Sequence, residues 1–248
     1  MLNIIFTKDR PLQLTAHLES LMHNQRGLSE VVVSVHTMTP EYYDLRNLFQ
    51  WVKWEQRPTG FDNTIRTRLT STTHKTVQFS VDDSVWTNPW IPQKCEAALD
   101  NPAVDMVTLR SGRTADGRAC WKAGSAGEIH RDYPFDISSS IHRVDDIRRA
   151  FSLSHLFEVP NDIEAQIVGQ IHKDRRTRTI ASTGIGCLIT QDVNKVQHKH
   201  NPDGNGITSN LTAEHCIDLY RQGKRIDWLS MQGAEGILVG DRYWKLLE

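Results

Sequence analysis

Short apolar runs alternate with amphipathic segments along the first half of the chain. The apolar runs, rich in β-branched residues, predict buried strands at 2–6, 30–36, 76–82 and 104–109. Apolar residues at helical spacing predict helices after three of these strands, at 11–21, 40–48 and 91–99. This alternation predicts an α/β fold with a mainly parallel sheet covered by helices on both faces.

The second half of the chain has a less regular pattern. Residues 111–140 are rich in glycine, serine and charge, which predicts loops with one or two strands. Three helices are predicted beyond them, at 144–156, 163–171 and 211–223. Pro160 and Asn161 are expected to end the first of these helices, and Thr212 and Gly223 to cap the last one. Because no repeat and no linker interrupts the chain, we expect a single domain.

Composition excludes several classes of protein. The 248 residues carry 29 Lys and Arg against 30 Asp and Glu, so the chain is not a polycation that coats nucleic acid or an anionic membrane. The four cysteines form no C-x-x-C pair, which argues against a zinc knuckle or a disulfide scaffold. No apolar run approaches the ~20 residues that span a bilayer. We therefore expect a soluble cytoplasmic protein without stable membrane insertion.

Polar clusters follow two of the predicted strands, at the end where open parallel sheets bind ligands. Thr7 to Arg10 follow the first strand, and Asp82, Asp83 and Ser84 follow the strand that ends at Val81. Two adjacent acids after a buried strand are costly without a cation or hydrogen-bond donors. Mg²⁺ and Mn²⁺ prefer carboxylate oxygens and meet this need. The alternative is an acidic pair that caps a turn or a helix N-terminus.

Several motifs together carry a family resemblance. The segments FTKDRPLQL, VDDSVW and PNDIE occur in order with MVTLRSG, YPFDISSSIHRVDDI, VNKVQHKHN and QGKRIDWL. In this order they resemble nucleotide-sugar glycosyltransferases of the GT-A fold, and more closely small bacterial and phage members related to family 2. The resemblance implies a Rossmann-like GT-A domain over 1–248, with 1–110 binding the nucleotide sugar and 111–248 the acceptor. It also implies a hexosyl- or pentosyltransferase in a bacterial or phage-infected cell.

The resemblance assigns roles at the first loop. It implies that Thr7, Asp9 and Arg10 help to hold a nucleotide-sugar donor, for example a UDP-sugar. Arg10 would reach the diphosphate or the base, because its planar fork of donors suits such groups. The alternative for Arg10 is an exposed ion pair with Asp9 or Glu19.

The resemblance also implies a metal site. The acids form a DXD-like motif in which Asp82 approaches the ribose and Asp83 binds Mn²⁺ or Mg²⁺. Ser84 stands where a third acid is frequent in the family. His198 or His200 would complete the metal site, with two solvated loop histidines as the alternative.

An inverting transfer needs a base that accepts the proton of the acceptor hydroxyl. Glu164 matches the acidic position of the family's PN-x-x-E pattern and is our candidate, with Asp162 next. The alternative is that both acids stabilise the first turn of a helix through its dipole.

A basic segment bears on the acceptor. Residues 165–200 carry six Lys and Arg against two Asp, and phage relatives that glycosylate hydroxymethylated bases suggest modified DNA as acceptor. Arg175, Arg176 and the loop residue Asp136 are the candidate acceptor-binding residues, and a glycan is the other acceptor considered. A solvated charged face is the alternative for the basic segment. The sequence does not indicate the oligomeric state.

Two other functions stay open from the sequence. A nucleotidyltransferase also uses an α/β sheet with paired acids, although no Gly-rich phosphate loop follows the first strand. A non-enzymatic nucleic-acid-binding protein would use the basic residues within 173–178.

Overall fold

The computed structural model describes residues 1–27, 29–57, 60–114, 116–123, 125, 133–173, 177–190, 212–234 and 245–247. The strands are β1 (Leu2–Thr7), β2 (Glu30–Val35), β3 (Lys53–Gln56), β4 (Thr76–Val81), β5 (Ser84–Trp86), β6 (Met106–Thr108), β7 (Cys120–Lys122), β8 (Ser140–Arg143), β9 (Thr179–Ser182), β10 (Leu188–Thr190), β11 (Arg225–Ile226) and β12 (Leu246–Leu247). The helices are α1 (Pro11–Asn24), α2 (Pro40–Leu48), α3 (Phe61–Ser71), α4 (Pro92–Asp100), α5 (Val144–Ser152), α6 (Pro160–Lys173) and α7 (Ala213–Arg221), followed by a 3-10 helix, Trp228–Met231.

Eight strands form the main sheet in the order β3-β2-β1-β4-β8-β6-β9-β7. Strands β3, β2, β1 and β4 are mutually parallel, whereas β8 runs antiparallel to both of its neighbours, β4 and β6. The carboxyl ends of β1, β4 and β6 therefore share one edge of the sheet. Because β8 runs the other way, its first residue, Ser140, lies opposite Thr108 at that edge. The loop before β8 is thus delivered to the ends of β4 and β6.

Strand β1 is buried on both faces, so its alternate side chains enter two different cores. Ile5 packs in a cluster with side chains of α1, α2 and α4. Ile4 and Phe6 pack in a second cluster with α3, α5 and α6. Burial of each such side chain stabilises the fold by about 1.5–3 kcal/mol, which fixes the helices against both faces as the pattern predicted.

A smaller antiparallel sheet lies next to the acid pair. Strand β5 pairs with β10, and Ser84 lies opposite Thr190. Val85 and Ile189 from these strands pack against Leu12 of α1 and against side chains of α7 and β11. The chain near Thr190 is thereby held beside the residues that follow β4.

The structure confirms the four apolar strands and the three following helices, but several elements were not predicted, among them β3, α3 and β8. Strand β3 has only four residues, of which Lys53 and Gln56 are exposed. Helix α3 buries only Phe61, Ile65 and Leu69 as apolar residues, a narrow stripe within a charged segment. Strand β8 is also four residues long, so its apolar pattern is too short to predict a strand.

The prediction around Pro160 was wrong. Helix α5 ends at Ser152, and Pro160 begins α6 instead of ending its predecessor. Proline fits a helix start because the first N–H groups have no partner within the helix. The caps of α7 are confirmed: the Thr212 side chain accepts from the His215 N–H, and Gly223 has a φ of 80°. Within the described residues, no helix is long and apolar enough to span a membrane.

Candidate active site

The acid pair after β4 lies at the carboxyl edge of the sheet, and Arg10 reaches it from the loop after β1. Arg10 Nη1 lies 3.1 Å from Asp82 Oδ1 and 2.6 Å from Asp83 Oδ2. All three residues are buried. Burial acts to lower the pKa of Arg10, but the charges of Asp83 and Asp82 overcome this and raise it above its ordinary value. The alternative of an exposed ion pair with Asp9 or Glu19 is therefore wrong.

The loop after β1 is held against the acid pair by its backbone and by Tyr42. The Tyr42 hydroxyl lies 2.8 Å from Thr7 Oγ1 and accepts from the Arg10 N–H at 3.1 Å. The Lys8 N–H donates to Asp82 Oδ2 at 3.3 Å. Asp9 has a φ of 55° and is the one non-glycine residue with positive φ in the described part of the chain. Backbone strain of this kind is common in ligand-binding loops.

Burial raises the pKa of Asp82, while the charge of Arg10 and the hydrogen bonds from Thr7, Arg10 and Lys8 oppose that rise. The balance between burial and these donors therefore determines how readily Asp82 ionises. A buried carboxylate in this situation is sensitive to any change in the cation beside it.

Arg57 is a second arginine at this edge, and the sequence reading missed it. Its Nη2 donates to the carbonyls of Thr7, at 2.8 Å, and Ser34, at 3.1 Å, so it joins the ends of β1 and β2. Its guanidinium lies 5.1 Å from the centre of the Phe61 ring. Burial lowers the pKa of Arg57 to about 10, which still leaves it positively charged at neutral pH.

The acids after β4 fit a divalent cation by their chemistry, since carboxylate oxygens are preferred ligands of Mg²⁺ and Mn²⁺. In the described part of the chain they are joined by no third Asp, Glu, His or Cys to make a cluster. A cation held by Asp83 would share its surroundings with the Arg10 guanidinium. The remaining ligands would then come from donor phosphates or from His198 and His200, which lie outside the described residues.

A second charged cluster lies at the same edge, around Asp136 in the loop before β8. Arg110, which follows β6, donates through Nε to Asp136 Oδ2 at 2.9 Å. The same carboxylate accepts from the Ser138 N–H at 2.8 Å and from the hydroxyls of Ser138 and Ser139. Burial opposes ionisation, but Arg110 and the serines prevail and lower the pKa of Asp136 to about 2.

Glu164 lies in α6 beside this cluster. It accepts from the Ile137 N–H at 2.9 Å and from the Tyr133 hydroxyl at 3.1 Å. Burial, and then the negative charge of Asp136, raise the pKa of Glu164 to about 7. Two neighbouring carboxyl groups thus have widely separated pKa values, an arrangement that distinguishes a proton-exchanging acid from a permanent anion.

Asp162 is engaged in a different way. Its Oδ2 accepts from the backbone N–H groups of Glu158, at 2.8 Å, and Val159, at 3.2 Å, and the residue is buried. These bonds satisfy N–H groups immediately before α6. Asp162 therefore serves the start of α6, whereas the raised pKa of Glu164 makes Glu164 the better candidate for proton exchange.

The two clusters are connected through the small sheet. Thr190 Oγ1 lies 3.4 Å from Ser84 Oγ and accepts from Arg110 Nη2 at 3.2 Å. Ser84 directly follows Asp83, so the acid pair and the Arg110–Asp136 pair are held by one continuous set of side chains.

Two acceptor candidates and both histidines of the predicted metal site cannot be placed. Arg175, Arg176, His198 and His200 lie outside the described residues, so their roles stay predictions. Arg178, in the same basic segment, donates to the carbonyls of Pro134 and Asp105, each at 3.3 Å. This arginine supports the loop before β8, as a structural role requires.

The residues of the site that were not predicted differ in whether the sequence could have indicated them. Arg110 directly follows a predicted strand, so the rule that singled out Asp82 would also have found it. Arg57 follows β3, which was not predicted, and Tyr133 lies in an irregular segment without a pattern. Trp86 and Trp90, which follow the acid pair in the sequence, are buried in the core.

No protein-family model matches the chain, and no curated protein matches it. Solved structures do. The S. aureus protein TarS aligns over 75% of this chain at 14% identity with a TM-score of 0.50, and the chain covers 35% of that structure. Its 1–349 fragment with UDP aligns over 75% of this chain at 14% identity and a TM-score of 0.51, covering 59% of the fragment.

The fold is of the GT-A type. The same TarS fragment in complex with UDP-GlcNAc aligns over 75% of this chain, at 15% identity and a TM-score of 0.50, and the chain covers 56% of it. The chain therefore spans between about one third and three fifths of these structures. The predicted mainly parallel sheet with flanking helices is confirmed by this likeness and by the strand order.

Proposed function

We propose that the chain is a metal-dependent, inverting glycosyltransferase that moves a sugar from a nucleotide-sugar donor to an acceptor hydroxyl. The observation that supports this proposal is that two groups with different chemical properties lie at one edge of the sheet. One is the acid pair Asp82–Asp83 after β4, and the other is Glu164, whose pKa is raised to about 7 beside an ionised Asp136.

Glu164 is the proposed general base. A base is most effective when its pKa is close to the working pH, and Glu164 has this property because of burial and Asp136. It takes the proton of the acceptor hydroxyl as the acceptor oxygen forms a bond to the anomeric carbon of the sugar. The bond from that carbon to the diphosphate oxygen breaks on the opposite face, and the nucleoside diphosphate leaves with the electron pair.

Asp82, Asp83 and the loop after β1 form the proposed donor site. Asp83 would hold Mn²⁺ or Mg²⁺, whose chemistry is to stabilise negative charge on the departing diphosphate. Thr7, Asp9 and Arg10 lie before the N-terminus of α1, where backbone N–H groups and the helix dipole favour phosphate groups. The TarS complexes with UDP and UDP-GlcNAc, which share this fold, support a UDP-sugar as donor.

The donor site is tested by thermal melting with UDP, Mn²⁺ or both. A ligand that binds only the folded state at 100 times its Kd stabilises it by about 2.7 kcal/mol. We expect UDP and Mn²⁺ together to raise the melting temperature, and Asp83→Asn to remove the part that depends on Mn²⁺. Asp100→Asn, an exposed change at the end of α4, should keep the full shift. If no common nucleoside diphosphate raises the melting temperature with Mn²⁺, the proposal fails.

The acceptor is proposed to be a hydroxymethylated base in phage DNA or a glycan. Because Arg178 is used inside the fold, only Arg175 and Arg176 are changed in the test. A DNA acceptor predicts salt-dependent DNA binding and transfer to modified DNA that both fall in an Arg175→Gln, Arg176→Gln double variant. Transfer to a glycan that is unchanged in this variant would exclude the DNA acceptor.

A further inference from the structure

Arg10 already provides a cation to the acid pair. One nitrogen atom, Nη1, contacts a carboxylate oxygen of Asp82 at 3.1 Å and of Asp83 at 2.6 Å. The side chains of the three residues are 10%, 4% and 9% exposed. Buried carboxylates need a compensating charge, and among the described side chains Arg10 is the cation that contacts both.

A divalent ion held by Asp83 would enter the immediate surroundings of this guanidinium. Two cations that share the same two carboxylates repel each other strongly at low dielectric constant. The Arg10 backbone is held separately, through its N–H to the Tyr42 hydroxyl at 3.1 Å. The side chain can therefore change partners while the loop keeps its place.

We propose that Arg10 is a resident counter-cation that competes with the divalent ion for Asp82 and Asp83. The donor diphosphate relieves the competition, because it offers the guanidinium a new anionic partner with matching bidentate geometry. Arg10 thereby makes metal binding depend on the nucleotide. This inference rests on the proposed function in taking Asp83 as the metal-binding carboxylate.

The test is Mn²⁺ binding, measured without donor turnover from the electron paramagnetic resonance signal of free Mn²⁺. We expect Arg10→Gln to bind Mn²⁺ about tenfold more tightly than the wild type in the absence of nucleotide, within the usual range of coupling between sites. Adding UDP should tighten Mn²⁺ binding in the wild type and much less in Arg10→Gln. Arg10→Lys, which keeps the positive charge but lacks the planar fork, should bind Mn²⁺ as the wild type does without nucleotide and gain less from UDP. Arg46→Gln, an exposed change in α2, should resemble the wild type in both measurements.

Arg10→Gln leaves two buried carboxylates without their cation, so it is expected to lower stability in EDTA. The melting temperature then serves as a second measurement, and Mn²⁺ should raise it more in Arg10→Gln than in the wild type. Adding Asp83→Asn to Arg10→Gln should abolish both the tight binding and the rescue.

The outcomes separate the two claims. If the wild type binds Mn²⁺ with UDP but Arg10→Gln shows equal or weaker affinity without nucleotide, the competition is disproved and the metal site stands. If neither protein binds Mn²⁺ with or without UDP, the metal site and the competition both fail.

Discussion

The two charged clusters at the sheet edge have similar components but a different arrangement. In the first, a single arginine, Arg10, contacts both acids of the pair Asp82–Asp83. In the second, Arg110 forms its ion pair with one acid, Asp136, and its other bonds are to hydroxyl groups such as that of Thr190. Glu164, the other acid of the second cluster, is held by neutral donors, the Ile137 N–H and the Tyr133 hydroxyl.

This difference determines whether each cluster is suited to ligand binding or to proton transfer. In the first cluster one arginine contacts both acids, so both carboxylates are paired with a positive charge. This cluster is suited to binding a cation or a phosphate ligand. Where the arginine pairs with one acid, that acid stays ionised, and burial, followed by the charge of that acid, raises the pKa of Glu164 to about 7. The second cluster is therefore suited to proton transfer at neutral pH.

The largest effect on activity is expected when the carboxyl group of Glu164, which would exchange the proton, is replaced. Glu164→Gln keeps the size of the side chain and one acceptor oxygen, which can still bind the Ile137 N–H, but the amide cannot accept a proton. We expect the rate of nucleoside diphosphate release from the donor to fall by about 10²–10⁴-fold, the usual contribution of a general base. Asp162→Asn should instead lower stability with a smaller effect on the rate. Equal activity losses in the two variants would contradict the assignment of Glu164.

Melting across pH checks the same group without catalysis. The pKa of Glu164 rises from an ordinary 4.5 to about 7 in the folded state, so folding favours its protonated form. This contribution to stability is present below pH 4.5 and is lost as the pH rises to about 7. Relative to Glu164→Gln, wild-type stability should fall across this window, and parallel curves would contradict the raised pKa.

A large loss of stability is expected when Arg110, the arginine that pairs with Asp136, is removed. Arg110→Met leaves Asp136, whose side chain is 14% exposed, without its charged partner, and breaking a largely buried pair costs about 3–5 kcal/mol. Urea denaturation measures this loss. The same change at Arg118, whose pair with Asp116 is exposed, should have a far smaller effect. Similar losses of stability at both positions would show that the Arg110–Asp136 pair stabilises the fold no more than an exposed ion pair does.

A shift of pH dependence, with smaller effects on maximum rate, is expected from Asp136→Asn. This change removes the negative charge that helps to raise the pKa of Glu164, so that pKa should move from about 7 towards its ordinary 4.5. The rising limb of activity with pH should then move to lower pH. A limb that stays in place would mean that Asp136 acts only on structure or, as the sequence suggested, only on the acceptor.

The smallest effect is expected from Tyr133→Phe, in the opposite direction. The Tyr133 hydroxyl donates to Glu164 at 3.1 Å and favours its ionised form. Without it, the rising limb should move slightly to higher pH while the fold is kept. If Tyr133→Phe and Asp136→Asn shift the limb in the same direction, the electrostatic account of the second cluster is wrong.

The sequence was most informative where one segment is sufficient to specify a feature. Apolar runs revealed β1, β2 and β4, and the acids after β4 could be placed at the sheet edge because parallel strands end together. The ion pair of Arg10 with Asp82 and Asp83 joins residues more than 70 positions apart, and no local pattern contains it. The second cluster depends on β8, an antiparallel strand of four residues that brings Asp136 to Arg110.

The most direct test of the central claim is product formation from a panel of nucleotide sugars with Mn²⁺. The account predicts that the wild type releases a nucleoside diphosphate from at least one donor, and that Asp83→Asn and Glu164→Gln each lose this activity while remaining folded. Absence of release from every donor, or release of pyrophosphate from a nucleoside triphosphate, would contradict a glycosyltransferase and favour a nucleotidyltransferase or a binding protein.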